Sequence, residues 1–235
     1  MFGGRLRGSF LLDLEVVDTK QLAPHIRSLT MASSDLVGFE FAPGQDVMIE
    51  VPAGDRVVRR RYTIRRADPE AGTADFEFEL HGHGGAAAGW AAGATAGSRI
   101  QAIGPRGNIA LRDTHSHVFV VDDSAMPAAF AMLEAMPRNT AARAILVTDH
   151  GPDSRPGPAA QPDVAIHWVE SAAVVDTIAS LVVAPDASAY VFGERSLVLR
   201  ATEALATRGL TRDAIASKAY WRSDQPNADH GEPGR

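Results

Sequence analysis

The chain has 235 residues, 45% of them apolar and 22% charged, a globular composition that excludes a disordered or fibrous protein and allows one large or two compact domains. No cysteine occurs, so disulfides, thiolate nucleophiles, cysteine-ligated zinc and ordinary iron–sulfur clusters are excluded together; redox chemistry would need a bound organic cofactor or haem. The net charge of −6 argues against a nucleic-acid partner, no apolar run reaches the ~18 residues of a membrane span, and Met1 to Phe10 lacks the apolar stretch of a signal peptide. A cytoplasmic protein without membrane insertion is the expectation.

Up to about residue 112 the signals are short strands separated by turns. Leu12 to Val16 and Phe76 to Leu80 alternate apolar and polar residues, Asp46 to Val51 is rich in β-formers, and Pro43-Gly44, Ala53-Gly54-Asp55, Ala71-Gly72 and Gly104-Pro105 read as turns. Strands at this spacing predict a small antiparallel barrel. Gly85 to Ala94, alanine-rich around Trp90, predicts a helix within it.

Arg56, Arg59, Arg60, Arg61, Arg65 and Arg66 fall within eleven residues that contain no acid. One concentrated positive site on an acidic chain fits a discrete anionic ligand better than a long polyanion, which needs a broad basic face. In a strand, Arg60 and Tyr62 share one face and Arg61, Thr63 and Arg65 the other. An arginine beside a phenol ring suits a ligand carrying both a phosphate and an aromatic system; a solvated charged strand is the plainer alternative. Gly82-His83-Gly84-Gly85-Ala86-Ala87 fits G-x-G-x-x-A, but its preceding strand alternates and no acid lies between Glu79 and Asp113 to meet a ribose. What survives is a glycine-rich turn that opens a helix and offers free N–H groups to a phosphate.

Beyond residue 117 the period changes. Val118 to Val121 and Ala144 to Val147 are continuous apolar runs separated by a helical stretch from Pro127 to Met136, and Val164 to Val169 and Ala189 to Phe192 follow. Strands buried on both faces and alternating with helices predict a parallel α/β sheet. Residues 151–163, with four prolines and two glycines, read as a loop. The expected organisation is a barrel domain over 1–112, an α/β domain over 113–222 and a disordered polar tail over 223–235.

Arg60-Arg61-Tyr62-Thr63-Ile64-Arg65 resembles the R-x-Y-T motif of the siderophore-interacting, FAD-binding proteins, a branch of the ferredoxin-reductase-like flavoenzymes. His81 to Ala91 is similar to their H-G-x-x-G-P-A-S-x-W-A segment, Gly104-Pro105-Arg106-Gly107 to G-P-R-G, and Asp122 to Ala128 to D-E-T-A-L-P-A. Gly193-Glu194-Arg195-Ser196 is similar to G-E-A-S, and Ala219-Tyr220-Trp221-Arg222 to G-Y-W-R. Six segments in family order span nearly the whole chain.

The resemblance implies a six-stranded antiparallel FAD-binding β-barrel followed by a parallel-sheet α/β nicotinamide-binding domain. It implies that Arg60 meets the flavin pyrophosphate, Tyr62 lies against the isoalloxazine ring and the Thr63 hydroxyl approaches N5, which makes Tyr62 and Thr63 the catalytic candidates. Ile64, His81 and the amides of Gly85, Ala86, Ala87 and Ala88 join the FAD site, with Tyr220 and Trp221 nearby. Asp122, Asp123, Ser124, Ala125, Gly193 and Glu194 are the nicotinamide candidates. Arg59, Arg61, Arg65, Lys218 and Arg222 are the candidates for attracting an anionic ferric siderophore. Ala86 stands where the family has proline, Ala88 where it has serine, Ala219 where it has glycine, and Glu170 where arginine is common.

The implied activity is FAD-dependent reduction of ferric siderophores by NADH or NADPH, releasing iron(II). The alternatives are a flavin reductase that serves a quinone or redox protein, and a flavin-carrying siderophore binder with little turnover. Asp149, after the second parallel strand, favours the ribose hydroxyl of NADH over the 2′-phosphate of NADPH, although His150 and Arg155 offer compensating charge. His81-x-His83 and His115-x-His117 lack a neighbouring cysteine or carboxylate, so they read as turn and surface histidines, with no metal site expected.

Overall fold

The computed structural model describes residues 10–80, 85–151, 154–161 and 163–223. Seven antiparallel strands form the first sheet: β1 (Phe10–Ala23), β2 (Ile26–Ala32), β3 (Asp46–Ala53), β4 (Arg56–Thr63), β5 (Arg66–Asp68), β6 (Thr73–Glu79) and β7 (Arg99–Arg106). Their order is β4-β3-β7-β1-β2-β6-β5. The two edge strands are consecutive in the chain, joined only by Ile64 and Arg65. The Ile64 N–H donates to Gln45 O at 3.0 Å beside β3, and the Arg65 N–H donates to Asp75 O at 2.9 Å in β6, so this bent segment ties the edges of the curled sheet together. The six expected strands become seven because the sequence pattern runs unbroken through a bend that belongs to tertiary pairing.

Alternation does what it predicts. Leu12, Leu14, Val16, Phe76 and Phe78 point into a dry core with Ile49 and Ile64, each worth roughly 1.5–3 kcal/mol of burial. Gly104-Pro105 is a correction: it lies inside β7, not in a turn. A Cβ on Gly104 would come within 2.6 Å of Val47 Cγ1, so the glycine serves the close approach of β3. Between β6 and β7, α1 (Ala86–Gly93) buries Ala87, Ala88 and Ala91.

The second sheet holds β8 (Ser116–Asp122), β9 (Ala141–Val147), β10 (Val164–Val169), β11 (Ser188–Glu194) and β12 (Ile215–Trp221), all parallel, in the order β10-β9-β8-β11-β12. Helix α2 (Met126–Ala135) follows β8, α3 (Val174–Ser180) follows β10 and α4 (Arg195–Thr207) follows β11. One face packs against Val174, Ile178, Leu197 and Leu205 of α3 and α4, the other against Met126, Phe130 and Leu133 of α2. Strand order reverses at β8: β9 and β10 extend to one side, β11 and β12 to the other. The carboxyl ends of β8 and β11 therefore flank the switch point, where open α/β sheets bind ligands. Among the described residues no helix is long and apolar enough to cross a membrane.

Polar bonds join the two sheets. The Arg65 guanidinium, 6% exposed, donates to both Glu134 carboxylate oxygens in α2 at 2.6–2.8 Å, and Arg66 reaches the same carboxylate. Arg155 is 3% exposed and pairs with Glu77 of β6. Lys218 Nζ on β12 lies 2.8 Å from Asp46 Oδ2 on β3.

Candidate functional site

These ties press the carboxyl edge of the parallel sheet against β4, β6 and α1, and a cleft with a volume of ≈ 1230 Å³ opens between them. That exceeds the ~300–1,000 Å³ of a drug-sized pocket. A hollow of ≈ 80 Å³ beside Arg61, Lys218 and Tyr220 adjoins this region and is too small for a cofactor.

One wall is β4. Arg60, Arg61, Tyr62 and Thr63 all line the cleft; both strand faces contribute because β4 is an edge strand whose last residues turn into the joint at Ile64. The Tyr62 ring lies 4.1 Å from that of Phe78, which in turn meets Trp90 of α1 at 5.9 Å. Burial pushes the Tyr62 phenol well up, against the opposing influence of Arg60, so it stays protonated. The Thr63 side chain is hydrogen-bonded to the Tyr220 phenol, which burial also raises. Tyr220 stacks on Phe192 at 5.9 Å and lies under Lys218. Ile64 packs fully buried in the core of the first sheet and does not line the cleft.

A second wall is the start of α1. Gly85 caps the helix without a side-chain bond, no acid occupies the first turn, and Gly85 to Ala88 line the cleft. The amides of Ala86, Ala87 and Ala88 precede the first intrahelical bond, Gly89 N–H to Gly85 O at 2.9 Å, so they point at the cleft as donors for an anion. Arg27 of β2 anchors the other end, donating to Ala91 O at 3.0 Å and Ala94 O at 2.9 Å, where a cation complements the helix dipole. His81 and Gly82 to Gly84 lie outside the described residues.

The third wall is the switch point. Asp122 is buried at the end of β8; its Oδ1 accepts from Ser124 Oγ at 2.6 Å, and its Oδ2 from the Glu194 N–H at 2.6 Å and Trp221 Nε1 at 2.9 Å. Burial raises its carboxyl to about 6 despite these three bonds. Asp122 thus positions Ser124, Glu194 and Trp221 while its own oxygens are occupied. Glu194 caps α4 through bonds from Ser196 N–H at 2.5 Å and Leu197 N–H at 3.1 Å. Ala125 is fully buried. Helix α2 starts without a side-chain cap and carries Pro127 in its first turn; the Ala125 and Ala128 N–H groups bond Asp122 O and Ala125 O at 2.9 and 3.0 Å.

The basic residues divide. Arg65 is a correction: buried between Glu77 and Glu134, it holds the sheets together and cannot meet a soluble anion. Arg155 lines the cleft, almost fully buried, and pairs with Glu77 through one guanidinium nitrogen. Arg59 is exposed but pairs with Glu50 at 2.9 Å, and it does not line the cleft. Arg61 and Lys218 share the buried Asp46 carboxylate at 3.9 and 2.8 Å, with both cations partly accessible, and Arg222 is exposed. Asp46, which orients both cations, carries no local sequence signal.

A cluster that sequence reading missed sits along the same cleft. His25, in the turn after β1, stacks on His150 with ring centroids 3.6 Å apart, and its Nε2 lies 3.9 Å from Asp123 Oδ1. His117 is buried beside Thr114 and His115 is exposed, so those two do not converge.

A curled antiparallel sheet that presents an open helix N-terminus to the switch point of a parallel sheet is the ferredoxin-reductase-like architecture. The ferredoxin reductase of carbazole 1,9a-dioxygenase shares it at TM-score 0.73 and 19% identity, over 91% of this chain and 68% of that one. A siderophore utilization protein from T. fusca superimposes at TM-score 0.85 and 22% identity over 96% and 98%. Family models described as "Siderophore-interacting FAD-binding domain" and "Siderophore-interacting protein" match residues 41–109 and 114–224. The chain belongs to the siderophore-interacting family. Ferric vibriobactin reductase ViuB of Vibrio cholerae is 28% identical over 93% of this chain and 92% of its own length. An uncharacterised Mycobacterium tuberculosis protein is 31% identical over 70% of this chain. The alignment spans 66% of that mycobacterial relative.

Proposed function

We propose that the protein is a flavin oxidoreductase that holds FAD in this cleft and uses NADH or NADPH to reduce ferric siderophores, releasing iron(II). The observation that carries the reading is the convergence of Arg60, Tyr62 and Thr63 with the uncapped start of α1 on one cleft that ends at the switch point. The similarity to ferric vibriobactin reductase supports the substrate class. Residues 1–112 would serve FAD and residues 113–222 the nicotinamide nucleotide.

The residues fit FAD chemically. Three free amides and the Arg60 guanidinium meet a pyrophosphate, the protonated Tyr62 offers a flat ring, and no acid in the first turn of α1 repels the anion. When bound, FAD supplies a hydride acceptor that can also deliver electrons singly, as iron(III) requires. Thr63, tied to Tyr220, presents its hydroxyl at a fixed position beside the ring. Asp122 sets Trp221 and the Gly193-Glu194 turn, and the loop from Asp123 to Ala125 receives the nicotinamide nucleotide. Arg61, Lys218 and Arg222 attract the anionic substrate. Siderophores bind iron(III) through hard oxygen donors, so reduction loosens the complex.

Asp149 is exposed beyond β9 and lines the cleft, where its carboxylate accepts from a ribose hydroxyl and repels a 2′-phosphate. With Arg155 bound to Glu77, the compensating charge is reduced, and kcat/KM for NADH is expected to exceed that for NADPH. Asp149→Ser should narrow the ratio; a tenfold wild-type preference for NADPH would contradict the assignment. The proposed function itself is tested by NADH oxidation with and without ferric siderophore, with iron(II) trapped by a chelator. Siderophore-dependent oxidation with about two iron(II) per NADH, the balance of a two-electron donor, supports it. Binding of siderophore without iron(II) would overturn it.

A further inference from the structure

We propose that His25, Asp123 and His150 form a binding site for one divalent first-row transition-metal ion. The three residues come from both sheets: His25 from the β1–β2 turn, Asp123 from the end of β8, His150 from the end of β9. One ligand atom from each lies within 4.8 Å of the others, and His25 Nε2 is 3.9 Å from Asp123 Oδ1. Metal bonds of ~2.1 Å place tetrahedral ligand atoms about 3.4 Å apart, so binding requires the two stacked rings to turn out of their stack until their nitrogens converge with the carboxylate.

Two further observations point to a ligand. His25 Nε2 and Asp123 Oδ1 are buried and have no hydrogen-bond partner, which is costly for polar atoms unless something else binds them. The imidazoles are stacked, 20° from parallel, which keeps both rings beside the Asp123 carboxylate. A cation there would satisfy both atoms at once. Thr148 supports two of the three residues: its side chain bonds the Asp123 carboxylate, as outer groups do around metal ligands, and accepts from the His150 backbone N–H at 3.2 Å. Arg155, paired with Glu77, adds positive potential at His25 and Asp123, and Glu79 opposes it with negative potential at both.

Two imidazoles and one carboxylate suit zinc, cobalt(II) or iron(II) and leave open positions for water; magnesium and calcium prefer all-oxygen sets. An ion bound there would also bridge the two sheets, so it should raise the melting temperature. The site shares Asp123 with the loop proposed to receive the nicotinamide nucleotide, but its geometry does not depend on that activity.

The test is calorimetric titration of the whole protein with zinc and cobalt(II), and anaerobically with iron(II), with magnesium as control. One zinc or cobalt(II) per chain, a higher melting temperature, and affinity at least about tenfold weaker in His25→Ala, His150→Ala and Asp123→Asn are expected. In the unaltered protein, zinc should protect His25 and His150, but not His115, from diethylpyrocarbonate. Absence of a saturable site, equal affinity in all three variants, or unprotected His25 and His150 would overturn the proposal.

Discussion

At the scale of single residues, the tightest constraint is Gly193. Its φ is +133°, and a Cβ there would lie 2.5 Å from the Asp122 carboxyl carbon. Any side chain must displace the carboxylate that receives Ser124, Glu194 and Trp221. Gly193→Ala is expected to cost about 1–3 kcal/mol from backbone strain alone. It should also free the Trp221 indole and shift its fluorescence toward that of solvated tryptophan. A denaturation midpoint and emission spectrum equal to wild type would show that the turn tolerates what the geometry forbids. Gly-Glu was legible as part of a motif; the reason for its glycine was not, because Asp122 stands 71 positions away in the chain.

At the scale of elements, α1 joins fold and chemistry. Its small residues bury Ala87, Ala88 and Ala91 while leaving the first amides open to the cleft. Ala86, where the family has proline, restores an N–H that proline lacks, and Ala88 in place of serine removes a hydroxyl but keeps the amide. Ala86→Asp separates the two roles. A carboxylate in the first turn favours the helix dipole, so the melting temperature should hold or rise slightly, while FAD affinity falls tenfold or more by repulsion from the pyrophosphate. Unchanged flavin affinity would remove α1 from the phosphate site. This helix was readable from composition and from its glycine-rich opening. The bend that divides β4 from β5 was not, because Ile64 and Arg65 keep the strand pattern and differ only in whom their amides bond.

At the scale of the whole molecule, Glu134 governs how the two sheets stay together in acid. Burial alone would raise its carboxyl; the Arg65 and Arg66 guanidiniums and the Ala159 N–H outweigh that and hold it at about 2, below the ordinary 4.5. A carboxyl depressed by folding stabilises the fold above the unfolded value and loses that contribution as pH falls through the folded one. Glu134→Gln should therefore melt below wild type at pH 7, with the gap closing between pH 4.5 and about 2. A gap independent of pH would mean that the ion pair contributes nothing. The layout of alternating strands followed by buried parallel ones was legible from hydrophobic period, and the cleft-lining Arg60, Tyr62 and Thr63 from motif order. Partners such as Asp46 for Lys218, Glu134 for Arg65 and His150 for His25 were not, since charges and rings that meet only after folding share no local pattern.

If Arg60, Tyr62, Thr63 and the start of α1 make one FAD site, the purified protein binds the cofactor through all of them. Fluorescence titration of FAD into the purified protein tests it most directly. One FAD per chain is expected, with flavin emission quenched against Tyr62 and affinity weaker by about ten- to a hundredfold in Arg60→Ala, from loss of a charge-assisted contact worth roughly 1.5–3 kcal/mol. Absence of binding, or equal affinity in Arg60→Ala, would contradict it.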